Sequence, residues 1–341
     1  MDTTLARIKR DFHDRLHAIT AGADVRDAYH PEADWWGSHP FNERKGTEAI
    51  DAVRSQLRKA IPDVERDDSL FVAGRSLGDP RPESDPEGDI IVAWMGHYRG
   101  TFREPLVGIP PTGDVVHLRC CEAHRICDDH IARSHVLFDF LDLMRQAGHW
   151  PISPSLGREG LWPRPKDGDG SGTALGARDR SHRSIETVLA MHGALAQFDG
   201  RNLDSMPHGQ YWTPDFLWCG PAGIGITQGM EEFRAHHQIP FLTGFRDRRG
   251  AGHYMRIGDG EFAVTGGWPS VVATHTGEWL GLGATGKRVA MRVMDFYRLD
   301  NGLIAQNWIP IDIIHVLLQL GVDVFSRLRH LTGNPAMDFP E

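Results

Sequence analysis

The sequence predicts an α+β protein built from two tandem copies of one domain, each with helices on one face of a curved, mostly antiparallel sheet. Three observations predict it. Two segments of the chain repeat each other, each copy places its helices before a run of strands, and a stretch rich in Pro, Gly and Asp separates the copies. We expect a first domain at 1–150, a linker at 151–180 and a second domain at 181–341.

The repeat is clearest between residues 112–148 and 285–321, which align over 37 residues without a gap. A looser match links residues 45–50 to 228–233. The identical pairs in the ungapped segment are Thr112/Thr285, Gly113/Gly286, Val116/Val289, Arg119/Arg292, Arg125/Arg298, Ile131/Ile304, Ala132/Ala305, Asp139/Asp312, Gln146/Gln319 and Gly148/Gly321. We interpret this agreement as an internal duplication.

Each copy begins with an amphipathic helix, near residues 4–20 and 183–197, and a short helix follows a glycine at 46 and at 229. Alternation of apolar and polar residues then predicts strands. The predicted strands are 69–74, 89–102 and 115–126 in the first copy and 253–257, 261–275, 288–299 and 303–308 in the second. The segment 300–302, Asp-Asn-Gly, predicts a tight hairpin between the last two.

Composition and charge exclude several classes of protein. The longest apolar runs fall short of the ~18 residues that a membrane span needs. A net charge of -9 with scattered Lys and Arg argues against a nucleic-acid partner. The N-terminus lacks the pattern of a secretion signal, and the four cysteines lack disulfide or zinc-ribbon spacing, so we expect a cytoplasmic protein.

Strand alternation selects the first catalytic candidate. In the predicted strand 288–299, Asp295 shares a face with Met291 and Tyr297, and the equivalent row of the first copy carries Glu122. A carboxyl group in an apolar row has a raised pKa, as a general acid or base at neutral pH requires. The alternative is a structural carboxylate paired with an arginine or a backbone N–H.

Asp312 and its counterpart Asp139 are also candidates, because both copies retain them. Each directly precedes an apolar helical segment, so a helix N-cap explains them fully, although a cap at the rim of a pocket can still contact a ligand. His253 and His275 are the histidines that we expect to enter the second pocket, where either could form a proton-transferring pair with Asp295. No HxH or HExxH spacing is present, so we expect no metal.

Aromatic and polar side chains of the second copy are expected to line its pocket and hold a flat organic ligand, with core packing as the alternative. The proposed lining comprises Asn307, Trp308, Trp268, Trp279, Tyr297, His237 and Met291. His135 replaces Trp308 in the first copy, so the two pockets differ. No Gly-rich phosphate loop or nucleophile elbow is found, and we expect no cofactor.

The segments 284–289, 297–304 and 307–321, with their counterparts in the first copy, give the chain a pattern that resembles the SnoaL-like polyketide cyclases and ester cyclases of the NTF2-like superfamily. The resemblance implies a cone-shaped α+β fold whose bent sheet surrounds an apolar pocket roofed by helices. It also implies pairing of the sheets, which in a tandem chain would give an intramolecular pseudo-dimer, with a homodimer as a further option.

The resemblance also bears on site residues. The position of the family's acid/base aspartate holds Ile309 and Val136 in this chain, and the position of its pocket histidine holds Asp295 and Glu122. A later aspartate is retained as Asp312. The second copy follows the family pattern more fully, so we expect the working site there and a structural role or another ligand in the first.

The sequence therefore predicts a cofactor-independent acid/base enzyme that acts on a small, largely apolar, oxygen-bearing organic molecule by cyclisation, isomerisation, dehydration or hydrolysis. Two alternatives stay open. One is a ligand-binding or assembly module without catalysis, and the other is a metal-dependent enzyme that uses the chain's 19 histidines.

Overall fold

A computed structural model describes residues 2–76, 88–166 and 169–333. Each half of the chain forms one curved sheet with helices on its inner face. Residues 167–168 of the predicted linker lie outside the described residues. No helix in the described segments is long and apolar enough to cross a membrane.

The elements of the first half follow the predicted order, with two further strands before the second helix. They are α1 (Thr3–Thr20), β1 (Tyr29–Gly37), β2 (Glu43–Lys45), α2 (Thr47–Ala60), β3 (Glu65–Ser76), β4 (Asp89–Thr101), β5 (Val115–Cys127), β6 (His130–Phe138) and α3 (Phe140–Gln146). Helix α1 begins where the Asp2 side chain accepts a hydrogen bond from the Leu5 N–H, and its buried face repeats every three or four residues.

The second half repeats this order. Its elements are α4 (Arg178–Leu195), β7 (Trp212–Cys219), β8 (Ile226–Gln228), α5 (Gly229–Phe233), a π-helical turn (Arg234–Gln238), α6 (Ile239–Gly244), β9 (Arg249–Gly250), β10 (Met255–Asp259), β11 (Phe262–Thr274), β12 (Arg288–Asp300), β13 (Leu303–Trp308), α7 (Ile313–Gln319) and α8 (Val324–Thr332). The hairpin between β12 and β13 has positive φ at Asn301 and Gly302, as the sequence predicts.

The two sheets have the same topology. Their strand orders are β2-β1-β6-β5-β4-β3 and β8-β7-β13-β12-β11-β10, with β9 pairing to β11. In each sheet the first long strand runs parallel to the last strand, and the remaining neighbours are antiparallel. Identical order and direction in both halves are what a duplication of one domain produces.

The outer faces of the two sheets pack against each other. A separate apolar cluster joins Val72 and Ala93 of the first sheet to Ile257 and Phe296 of the second. A side chain on the outer face is therefore buried as deeply as one on the inner face. Burial alone does not say which side chains line a pocket.

The segment predicted as a linker packs onto the second half. Gly157 N–H donates to the Ile224 carbonyl, and the buried Trp162 donates its Nε1–H to the Gly220 carbonyl. Helix α4 already begins at Arg178, inside the segment 151–180. We propose domains at 1–150 and 181–341, joined by a linker. Part of this linker packs on the second sheet.

Candidate active site in the second half

The strands β5 and β12 carry the interior faces of the two halves, and their side chains alternate as the sequence predicts. In β12, Met291 and Tyr297 belong to the main core, whereas Met294 and Phe296 belong to the cluster between the sheets. Asp295 lies in the same row as Met291 and Tyr297. It therefore points into the core of the second half.

Asp295 is a buried carboxyl group without a charged partner among the described residues. It is 7% exposed, and Thr265 Oγ1 donates a hydrogen bond to it at 3.4 Å. Burial raises the pKa of Asp295 to about 7, and the hydrogen bond from Thr265 offsets only part of this effect. A carboxyl group with this pKa can serve as acid or base at neutral pH.

Glu122 has the equivalent position in the first half and opposite surroundings. Arg54 donates to its Oε1 and Arg66 to its Oε2, each at 2.9 Å. The Tyr98 hydroxyl donates at 2.6 Å, and His124 Nε2 lies 3.2 Å away. Although burial opposes ionisation, the two arginines hold the pKa of Glu122 well below its usual range. This carboxylate is fixed in its charged form.

The sheet registers show why Asp295 lacks such partners. In the first sheet, Arg66 of β3 pairs with Tyr98 of β4. The equivalent pair of the second sheet, reached from β12 through β11 to β9, is Gly250 and Val271. A glycine and a valine therefore replace the arginine and the tyrosine that hold the first carboxylate.

Helix α2 supplies the other arginine, and its counterpart is the interrupted helix α5–α6. Continuing the alignment of 45–50 with 228–233 without a gap places His237 opposite Arg54. Burial lowers the pKa of His237 to about 3, so its imidazole is neutral at physiological pH. The second half thus brings no positive charge to its carboxyl group at this position.

His237 forms an aromatic wall. Its ring stacks on Trp218 with the ring centroids 4.1 Å apart, and the Phe241 ring also stacks against it with the centroids 5.7 Å apart. The π-helical turn Arg234–Gln238 carries His237 shortly before Pro240. Proline has no N–H for the α-helical hydrogen bond four residues back, which accounts for irregular backbone here. Such turns often occur at functional sites.

Neutral polar side chains lie beside Tyr297. His192 Nε2 of α4 lies 2.9 Å from the Tyr297 hydroxyl, and the His192 and His253 rings are 5.5 Å apart. His253 Nε2 lies 3.1 Å from Ser270 Oγ. Burial lowers the pKa of His192 to about 3 and that of His253 to about 4, and it raises the pKa of Tyr297. All three groups are neutral at pH 7.

Asn307 completes the polar part of the interior. It pairs with Tyr297 across β12 and β13, so both side chains lie on the same face of the sheet. Its Nδ2 donates to the Phe296 carbonyl at 3.0 Å, whereas its Oδ1 has no partner within the described residues. An unsatisfied buried acceptor can receive a hydrogen bond from a ligand.

His275 and Trp279 lie in another part of the second half. His275 Nδ1 is 3.2 Å from Thr285 Oγ1, and both His275 and Trp279 contact the ring of Phe245. Neither His275 nor His253 forms a hydrogen bond with Asp295 in the described segments. The predicted direct pairing of Asp295 with His253 or His275 is therefore not observed among the described residues.

Three predicted pocket residues lie between the sheets instead of inside the cone. Trp308 belongs to the cluster between the sheets and donates its Nε1–H to the Pro163 carbonyl at 3.0 Å. His135 stacks on Tyr254 with the centroids 3.7 Å apart, and Trp268 lies beside it. The assignment of these residues to a pocket was wrong, because the outer face of each sheet is covered by the other half.

Asp312 and Asp139 are helix N-caps, as one reading of the sequence predicts. Asp312 Oδ1 accepts from His315 N–H at 3.1 Å, while its Oδ2 accepts from His39 N–H and from Arg292. Asp139 repeats the arrangement with the Asp142 N–H, the Ala222 N–H and Arg119. Each aspartate thus binds a loop of the other half, and neither faces the Asp295 interior.

Comparison with known proteins follows this division of the chain. Residues 190–320 match the family model described as SnoaL-like polyketide cyclase. The match covers most of the second half, which is therefore called the SnoaL-like half. Both halves have the same α+β topology. None of the curated proteins matches the chain.

Similar solved structures each correspond to one half in length. A SnoaL-like protein from Jannaschia sp. CCS1 is 17% identical, covers 43% of this chain and 96% of its own, and has a TM-score of 0.37. IdmH from Streptomyces antibioticus is 22% identical and covers 41% and 100%, with a TM-score of 0.33. An NTF2-like protein from Burkholderia xenovorans LB400 is 11% identical and covers 41% and 97%, with a TM-score of 0.33.

Sequence reasoning missed His192, Thr265 and Trp218 of the SnoaL-like half. His192 lies one position after the buried Met191 on the face of α4 that covers the sheet, and Thr265 lies directly opposite Asp295 in the ladder. The signal for Thr265 was available, because aligning the predicted strands places it across from Asp295. His192 needs the distance between helix and sheet, which the sequence does not contain.

Asp295 lies deep in the interior of the SnoaL-like half. Two clefts of the described surface lie in the first half, one beside Trp150 and Glu159 and the other beside Thr112 and Gln146, and neither reaches Asp295. Asp295 keeps a small exposed fraction, and His237 and Val271 are half-buried.

Proposed function

We propose that the SnoaL-like half is a cofactor-independent acid/base enzyme that acts on a small, largely apolar, oxygen-bearing organic molecule. The observation that carries this proposal is the buried carboxyl group of Asp295, whose pKa of about 7 results from burial without a cationic partner among the described residues. An isolated buried carboxyl group is costly to the fold, and perturbed groups of this kind cluster at functional sites.

The chemistry that fits best is closure of a ring by carbon–carbon bond formation. The ionised Asp295 removes a proton from a carbon next to a carbonyl group, and the resulting enolate attacks a second carbonyl carbon of the same molecule. The new alkoxide then takes the proton back from Asp295. The proton returns to the product, so no cofactor is consumed.

The neutral groups around Asp295 suit this reaction. The Tyr297 hydroxyl and the His192 imidazole can donate a hydrogen bond to the developing enolate oxygen, and the free Asn307 Oδ1 can accept one from a hydroxyl. The wall of His237, Trp218 and Phe241 offers stacking surface to a flat ring. Because the described residues bring no cation to Asp295, a neutral substrate is favoured over an anionic one.

We propose that the helices over Asp295 move when a ligand enters. We assign this movement to α5–α6, because the π-helical turn interrupts its regular hydrogen bonding. The first half has the continuous helix α2 in this place, together with a carboxylate fixed by two arginines. We therefore propose a structural role for the interior of the first half.

Proton exchange at carbon tests the function with a simple ester in place of the natural substrate. Ethyl benzoylacetate, a small aryl β-keto ester, is incubated with the full chain in deuterated buffer, and loss of the α-proton signal is followed by NMR. We expect the wild type to accelerate exchange and Asp295→Asn to remove the acceleration. Asp300→Asn is the matched control, because Asp300 lies on the same strand and is exposed.

Two results would contradict the proposal. Equal acceleration by the wild type and Asp295→Asn would show that Asp295 does not take part in the proton transfer. Binding of the ester, detected by quenching of tryptophan fluorescence, without any acceleration by the wild type would favour a ligand-binding module.

A further inference from the structure

A second cluster of titratable side chains lies in the first half, far along the chain from Asp295. His13 and His17 stand one turn apart on α1, and Asp68 faces them from β3. His13 Nε2 lies 3.1 Å and His17 Nε2 lies 2.8 Å from Asp68 Oδ2. Among the described residues, this is the group of His, Cys, Asp or Glu whose ligand atoms converge within 4.8 Å.

These distances match those between neighbouring ligands of one metal ion. A divalent transition ion holds imidazole nitrogen and carboxylate oxygen at about 2.0–2.2 Å, which puts adjacent ligand atoms roughly 3 Å apart. Two histidines at i and i+4 on one helix face are a common pair of ligands for such an ion. A third ligand from a strand leaves at least one coordination position open.

The side chains around the three ligands orient them. Asp14 Oδ1 lies 3.0 Å from His13 Nδ1, so the ring can donate to this carboxylate and direct Nε2 towards Asp68. Trp94 Nε1–H donates to Asp68 Oδ1 at 2.6 Å, which leaves Oδ2 as the oxygen that faces the histidines. Metal-binding histidines and carboxylates usually have outer hydrogen bonds of this kind.

Access and charge are suitable for an exchangeable ion. The side chains of His13 and His17 are 22% and 37% exposed, whereas that of Asp68 is 9% exposed. Asp68 contributes a carboxylate oxygen, a donor that divalent transition ions accept together with imidazole nitrogen. Arg66 stacks on Trp94 nearby and opposes the ion in part.

The described part of the SnoaL-like half contains no equivalent set. Its helix α4 has the same length as α1, and aligning their ends places His192 opposite His17 but Val188 opposite His13. Val188 is fully buried in the core. The paired histidines are therefore a feature of the first half, where the interior carboxylate is already fixed by arginines.

We propose that His13, His17 and Asp68 bind a divalent transition-metal ion, with zinc as the best match and one coordination position open to solvent. Oxygen and nitrogen donors in this ratio are those of zinc sites with three protein ligands, and the same set can hold ferrous iron. The sequence predicts no metal because HxH and HExxH are absent, but His13 and His17 have the same spacing of four as the two histidines of HExxH.

Titration of the full chain with zinc tests the site. Protein treated with a chelator and dialysed is titrated with Zn²⁺ by calorimetry, and Co²⁺ is added separately to record its visible absorption. We expect one Zn²⁺ per chain. His17→Ala should weaken binding by roughly 100-fold, and Asp14→Asn by about tenfold, since outer partners of metal ligands contribute that much. His182→Ala on α4, an exposed histidine beside Glu186, should leave affinity unchanged.

His17→Gln covers the case in which the alanine variant does not fold, because it keeps a hydrogen-bond donor for Asp68 and offers no imidazole. Absence of stoichiometric Zn²⁺ binding by the wild type would overturn the proposal. Equal affinity in the wild type and His17→Gln would overturn it as well. Either result would identify the three residues as a hydrogen-bonded clamp between α1 and β3.

Discussion

Asp295 and Glu122 point into the two interiors from the same position of a duplicated strand, but among the described residues only Glu122 is ion-paired. One copy pairs its carboxyl group with two arginines. In the other copy the carboxyl group accepts from a threonine, and a glycine, a valine and a neutral histidine occupy the positions of Arg66, Tyr98 and Arg54. The duplication thus provides an internal comparison, in which the same residue class has a structural role in one half and is available for chemistry in the other.

Removing the charge from each carboxyl group should have opposite consequences for stability. Glu122→Gln leaves Arg54 and Arg66 buried without a counter-charge, so we expect it to lower the free energy of unfolding by about 3–5 kcal/mol. Asp295→Asn removes an unpaired group, and we expect a change within about 1 kcal/mol or a gain in stability. Chemical denaturation at pH 8 measures both. A large loss with Asp295→Asn would mean that its carboxylate has a partner.

Ionisation of Asp295 should make the free energy of unfolding depend on pH. Its pKa is about 7 in the folded protein and 3.8 when unperturbed, so the native state holds a proton that the unfolded state has released between these values. The wild type should therefore lose stability relative to Asp295→Asn as the pH rises from 4 to 7, by up to about 4 kcal/mol. The difference should level off above pH 7. Parallel stability curves for the two proteins would contradict this expectation.

Restoring the arginine of the first half should convert the second site into a structural one. His237→Arg places a guanidinium where Arg54 stands in the first half, and a nearby cation lowers the pKa of a carboxyl group. We expect the inflection of the pH–rate profile for ester exchange to move below 7 and the rate at pH 7 to fall. His237→Gln is the matched control, since it fills the site without charge and should keep the inflection near 7. An unchanged pH–rate profile in His237→Arg would show that a charge at position 237 does not affect the pKa of Asp295.

The reciprocal N-caps should differ in their contribution to stability. Asp312→Ala removes a cap, worth about 1 kcal/mol, and also the carboxylate that pairs with Arg292. Asp139→Ala removes the same cap, but Arg119 keeps Asp142 at 3.0 Å. We expect the Asp312 variant to lose more stability than the Asp139 variant, as measured by thermal unfolding. The reverse order would show that the contact of Asp139 with the second half outweighs the ion pair.

Much of the fold could be predicted because the sequence repeats it. Strand alternation placed Asp295 and Glu122 in the interior rows, and the retained Asp139 and Asp312 are N-caps whose arginines and loop contacts join the halves. Gln146 and Gln319 likewise form the same pair of backbone hydrogen bonds in each copy. These residues, which are identical in the two copies, therefore stabilise the fold.

The electrostatic difference between the two sites could not be predicted from the strand. The partners of Glu122 come from residues 68 and 56 positions away, so only the folded chain reveals that they meet it. Trp308, Trp268 and His135 were misplaced for a related reason. An apolar residue on a strand predicts burial, but when both faces of a sheet are covered, burial does not distinguish a pocket from an interface.

A titration of Asp295 itself tests the proposed acid/base site most directly. The full chain is labelled with ¹³C at the aspartate carboxyl carbons, and Asp295→Asn identifies the resonance that belongs to this residue. We predict that this resonance titrates with a midpoint near 7. A midpoint at or below the ordinary value of about 4 would contradict the proposal, because Asp295 would then be ionised and stabilised throughout the physiological range, as Glu122 is.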